Sequence, residues 1–141
     1  MTYNQITFIL CMFIINSNLF AMDSIDILLK DKWISDKIQT IEWINVHRPT
    51  LKGKEKIFEL FGRMIVLTTR NEYITEVDGK KNTSPIKILG NTDRVIALVI
   101  NDPNLKRDVI VVIEIDEDKM GYWTYNSQFD IKEHFIKFKN E

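Results

Sequence analysis

From Arg63 onward, apolar and polar positions alternate with a period of two, the repeat of a half-buried strand. The alternation predicts strands over 64–69, 72–77, 81–89, 94–100, 108–115 and 120–126, with a last one near 136–139. Arg70-Asn71, Gly90-Asn91, the loop 101–104 and the acidic Asp116-Glu117-Asp118 separate them. Asp78-Gly79 is the clearest turn signal, because a type I′ hairpin needs positive φ at both central positions. Pro85 lacks the N–H that a ladder needs, which points to an edge or a bulge. Asp130, with Glu133 three residues on, has the form of a capping box and predicts a helical turn before the final strand.

Ahead of Arg63 the period lengthens. Residues 31–36 read as a short first strand carrying Trp33. Ile38, Ile41 and Ile44, with Trp43 beside them, recur at helical spacing and predict a helix over 37–46. Arg48-Pro49 ends it, since a residue before proline avoids the α region. Ile57, Leu60 and Phe61, flanked by Phe58, predict a second helix over 51–61, with Gly62 placed as its C-terminal cap. Short connections favour antiparallel neighbours, and closing the sheet removes exposed edges. The expected fold is mainly β with two helices. It is an antiparallel up-and-down β-barrel of about eight strands with a helix–turn–helix between strands 1 and 2. A strongly bent open sheet wrapped round the helix pair is the alternative.

Charge changes the picture at the N-terminus. The first 21 residues contain no Lys, Arg, Asp or Glu; all 19 basic and 20 acidic residues lie beyond them. Residues 6–15 are almost wholly apolar, long enough for the centre of a secretory signal and short of the roughly 20 that span a bilayer. Ala21 is a small residue suited to cleavage. Residues 1–21 are therefore expected to be a signal peptide and 22–141 a single mature domain, periplasmic or secreted. If Met22 is the true start, the domain is cytoplasmic. Cys11, the single cysteine, falls in the leader, so the mature domain would have neither disulfides nor thiolate metal sites. A net charge of −1 offers no field for nucleic acid and no polybasic membrane anchor. With the leader removed, no stable membrane anchor is expected.

A tryptophan-bearing strand near the mature N-terminus, a helical insertion and then an antiparallel meander resemble the calycin group of lipocalins and fatty-acid-binding proteins. Trp33 stands where the lipocalin Gly-x-Trp signature has its tryptophan, with Asp31 in place of the glycine. Lys137 and Lys139 stand on the last strand, where that family packs an arginine over the tryptophan. The helix pair resembles the helical lid of fatty-acid-binding proteins, and the whole layout is similar to bacterial lipocalin-like domains. The resemblance implies a barrel that holds one small molecule.

Barrels of this size hold a ligand or are filled by their own side chains. Tyr73, Tyr122, Trp123 and Tyr125 are candidates for a pocket wall, because their rings join an apolar body to a polar handle. Ile86 and Ile88 are candidate interior positions, Phe58 and Phe61 would gate or plug a barrel end, and Trp33 would close the bottom. No nucleophile motif accompanies His47 or His134, and no catalytic residue is assigned. Asp116-Glu117-Asp118 lacks the glycine and distal glutamate of a calcium loop, and no metal or cofactor site is assigned. The expected function is a non-enzymatic exported protein that binds a small apolar or amphipathic ligand. One alternative is a protein-interaction module of inhibitor or immunity type with a filled core. Its partner would meet exposed aromatics or an edge near Pro85. The other is a small enzyme with an unrecognised site.

Overall fold

The computed structural model describes residues 23–102, 106–127 and 129–139; the expected leader, with Cys11, and positions 103–104 of the expected loop lie outside them. The strands are β1 (Trp33–Ser35), β2 (Met64–Thr68), β3 (Glu72–Val77), β4 (Lys80–Asn91), β5 (Val95–Asp102), β6 (Arg107–Ile115), β7 (Gly121–Asn126) and β8 (Ile131–Lys137). These eight follow one another round a closed antiparallel barrel. Closure is made by β1 on β8, with Trp33 opposite Lys137 and Ser35 opposite Phe135. Helices α2 (Lys37–His47) and α3 (Lys54–Phe58) lie between β1 and β2, as the periodicity predicts, and the open-sheet alternative is not formed.

A further helix, α1 (Ser24–Lys30), precedes β1 and has no counterpart in the sequence reading. Its Ile25, Ile27 and Leu28 are buried in the same core as Trp33 and Ile96. Leu28 offers its carbonyl to the Trp33 indole N–H at 3.0 Å, and Ser24 Oγ donates to Thr92 O at 2.6 Å. Thus α1 closes the barrel end where β1 begins, opposite the end that carries α2 and α3.

Turn chemistry follows the residues. Asp78 and Gly79 take φ of 51° and 78°, the positive pair a type I′ hairpin requires. Asp36 caps α2, its carboxylate accepting from Gln39 N–H at 3.2 Å. Pro85 sits where β4 changes partners: residues up to Pro85 pair with β3, and Ile86 onward pair with β5. It marks that hand-over, while the register break falls later, between Ile88 and Gly90.

Three local expectations are corrected. The capping-box helical turn is absent, because Asp130 takes a left-handed φ of 53° and opens β8 directly at Ile131. The buried face of α2 is Thr40 and Ile44 rather than the stripe beginning at Ile38, which is 71% exposed. The second helix is shorter than 51–61: Gly53, at φ 69°, starts it, and Glu59 ends it. Gly62, at φ 84°, then turns the chain into β2.

Gly121 stands opposite Ile136 on the outer face of β7. A Cβ there would lie 2.5 Å from Asp116 Oδ2, 2.8 Å from His134 Nε2 and 2.8 Å from the Phe135 carbonyl oxygen. The backbone oxygen has nowhere to go, so overpacking of about 1–3 kcal/mol is expected. Gly121→Ala should therefore lower the urea midpoint accordingly, and an unchanged midpoint would show that the site relaxes.

Candidate functional site

The pleat sends alternate residues inward, and the barrel interior divides into two halves. Near α1 it is filled. Trp33, Val66, Ile96, Leu98, Ile113, Ile115, Tyr122 and Phe135 are all buried there with the α1 side chains. Trp33 meets Tyr122 edge-on at 5.1 Å between centroids, and Tyr122 stacks on Phe135 at 5.0 Å. These rings form a floor.

Above the floor a cavity of about 560 Å³ opens at the opposite end, within the size range of small-molecule sites. Its wall mixes apolar Met64, Ile100, Val109 and Val111 with polar Thr75, Asn82, Ser84, Thr124 and Glu133. Asp102, Arg107 and Asn126 also line it.

Glu133 is the deepest charged group, only 6% exposed. Gly62 N–H donates to Ser35 Oγ at 3.0 Å, and Ser35 Oγ donates to Glu133 Oε1 at 2.7 Å, so one carboxyl oxygen is fixed. Among the described residues no cation lies within ion-pair distance of it. Burial pushes the Glu133 carboxyl above its ordinary range, and the Ser35 hydrogen bond offsets part of that rise. Tyr73 is raised as well, first by burial and then by the Glu133 charge, and Tyr122 is raised by burial, then by Tyr73 and then by Glu133. The Tyr122 hydroxyl is buried with no hydrogen-bond partner.

The sequence-derived residues are distributed as follows. Tyr73 lines the cavity and Tyr125 reaches its rim. Trp33 is a fully buried part of the floor, and Ile86 and Ile88 pack against the filled half without lining the cavity. Phe58 and Phe61 do not line the cavity. They join Ile44, Ile57 and Ile131 in a separate cluster at the rim. Trp123 points outward and lies over His134, 4.6 Å between ring centroids. Tyr122, Trp123's neighbour, faces in. Ser35, Ser84 and Thr124 were not singled out from sequence, and Glu133 was read there only as the second member of a capping box.

Two polar latches hold the surroundings. Tyr125 hydroxyl donates to Asp130 Oδ1 at 2.6 Å, and Arg48 pairs with the same carboxylate, tying the end of α2 to the β7–β8 turn. The Tyr125 hydrogen bond, then Arg48, holds the Asp130 carboxyl below its ordinary range. On the outer face, His134 Nδ1 lies 3.1 Å from Asp36 Oδ2 and Nε2 lies 2.8 Å from Asp116 Oδ2. That histidine links α2, β8 and the β6–β7 turn. It sits on the opposite face of the sheet from the cavity, where Trp123 covers it.

The chain thus belongs to the class of closed, eight-stranded, up-and-down barrels with an internal cavity, an architecture compatible with a calycin-like barrel. No protein-family model, curated protein or solved structure matches it.

The raised Glu133 carboxyl makes stability depend on pH. The folded protein holds this proton to higher pH than the unfolded chain does. Between those limits the native state binds more protons, so stability falls as pH rises. Urea midpoints of the native protein should therefore decline, relative to Glu133→Gln, as pH rises above about 4.5. Parallel profiles would show that the carboxyl titrates as if exposed.

Proposed function

We propose that this protein is a non-enzymatic, lipocalin-like binding protein that holds a small amphipathic molecule in the open half of its barrel. One observation carries the reading. The filled half completes the core, yet the other half leaves about 560 Å³ bounded by apolar side chains and a few convergent polar groups. The lipocalin reading draws on Trp33 and Lys137. Lys137 Nζ, from the last strand, lies 5.9 Å from the Trp33 ring centroid, the placement that the family resemblance implies for its arginine. Export by residues 1–21 is part of the same proposal and places the mature domain outside the cytoplasm.

Affinity would come from burying the apolar part of the ligand against Met64, Ile100, Val109 and Val111, at roughly 25 cal/mol per Å². A second reading, a protein-interaction module, rests on the outer face of the sheet. Leu89 and Val112 stand exposed there.

The neutral fluorescent probe N-phenyl-1-naphthylamine separates the two. It should bind one-to-one with enhanced emission. Thr75→Phe, at an inward position of β3 on the cavity wall, should weaken it by roughly tenfold or more with the urea midpoint held. Loss of binding on Val112→Lys with none on Thr75→Phe would move the site to the outer face and sink the cavity reading.

A further inference from the structure

Glu133 is an unusual group for a cavity meant to take an amphiphile. Barrel cavities that receive a carboxylate need a buried cation or several donors to receive it. Here the deepest ionisable side chain is itself an acid. Its geometry leaves it an acceptor. Ser35 Oγ accepts a hydrogen bond from Gly62 N–H and donates one to Glu133 Oε1, while Glu133 Oε2 has no partner among the described residues. The inward-facing cation of the same strand, Lys137, is held below the floor by Asp31 at 3.0 Å and does not reach it. The other charged groups on the wall, Asp102 of β5 and Arg107 of β6, face each other at the mouth, where those strands end. Tyr73 of β3 lines the cavity and completes the polar set, while the Tyr122 hydroxyl of β7 is buried without a partner in the floor.

We propose that the cavity selects its ligand by a hydrogen-bond-donating head group, an alcohol or an amine, which enters first, docks on Glu133 and satisfies the polar set above the aromatic floor. The inference rests on the cavity being the binding site. A buried acceptor left unmatched is costly, and a donor head removes that cost, with Glu133 accepting and the tyrosine hydroxyl available to either partner. A carboxylate head docked there would face a second carboxyl with no cation within ion-pair distance of it among the described residues, and like charges so close cannot both remain ionised. The apolar tail would then lie between Ile100, Val109 and Val111 and leave through the mouth. Burial raises the Glu133 carboxyl and the Ser35 hydrogen bond offsets part of that rise, so the comparison is made at mildly alkaline pH, which favours the ionised acceptor.

The test is competition of decylamine, decanol and decanoate against bound N-phenyl-1-naphthylamine at mildly alkaline pH. Decylamine and decanol should displace the probe, and decanoate should be weaker than either by roughly tenfold or more, the scale of one charge-assisted hydrogen bond. Glu133→Gln should narrow the gap between decylamine and decanoate. Tyr73→Phe removes a hydroxyl from the cavity wall and keeps the ring, so it should fold, and it should weaken decanol by a few-fold. Decanoate competing as well as decylamine would overturn the selectivity and leave the cavity reading standing. A probe that binds and is displaced by none of the three would also overturn it. A protein that takes up no probe at all would overturn both. If Glu133→Gln does not fold, the order of the three compounds on the native protein and the Tyr73→Phe result decide.

Discussion

Trp33, Tyr122 and Phe135 come from β1, β7 and β8 and meet at the seam where the sheet closes. The seam needs them. β1 pairs with β8 at only three positions and with β2 at two. A ladder hydrogen bond contributes about 0.5–1.5 kcal/mol net, whereas full burial of one large apolar side chain contributes about 1.5–3 kcal/mol. The ring contacts therefore outweigh the short ladder, and α1 seals them from below through Leu28, whose carbonyl receives the Trp33 indole N–H. Because the rings span the barrel, they also set the depth of what lies above. The core ends at the floor, and the remaining interior is free to be polar and open.

That division explains the otherwise awkward placement of Glu133. A carboxyl pointing into a fully packed barrel would have to be matched on every lone pair. At the bottom of an open half it needs one fixed partner, supplied by Ser35 from the neighbouring strand, and keeps the other oxygen toward the cavity. The latches around the site serve the same geometry from outside. Asp36 caps α2 and also meets His134. Gly121 leaves room for that ring, and Asp116 closes its other side. Arg48, Asp130 and Tyr125 hold the rim where α2 ends. The helix pair thus braces one side of the mouth through Phe58, Phe61 and Ile131 and leaves the mouth open.

Much of this was legible in the residues. Asp78-Gly79, the alternation after Arg63 and the helical spacing before it carry the hairpin, the meander and the helix pair. What was not legible has a common cause. An alternation test assumes that polar means outward, and in the hollow half the reverse holds: Thr75, Asn82, Ser84, Thr124 and Glu133 face in. In β7 the test had nothing to separate the two faces, so Trp123 and Tyr125 looked as much like wall residues as Tyr122 did. Glu133 looked like the end of a capping box because its true neighbours, Ser35 and the cavity, are distant in sequence. The same is true of His134, whose carboxylate partners lie 98 and 18 residues away. Short α1 offers too few turns for a period to show.

Intermolecular NOEs between decanol and isotope-labelled protein would locate a bound amphiphile without reliance on any substitution. A ligand seated above the aromatic floor should show NOEs from its chain to the methyl groups of Ile100, Val109 and Val111, and none to Leu89 or Val112 on the outer face. Contacts confined to the outer face, or an interior that gives no ligand contact at saturating decanol, would contradict the account.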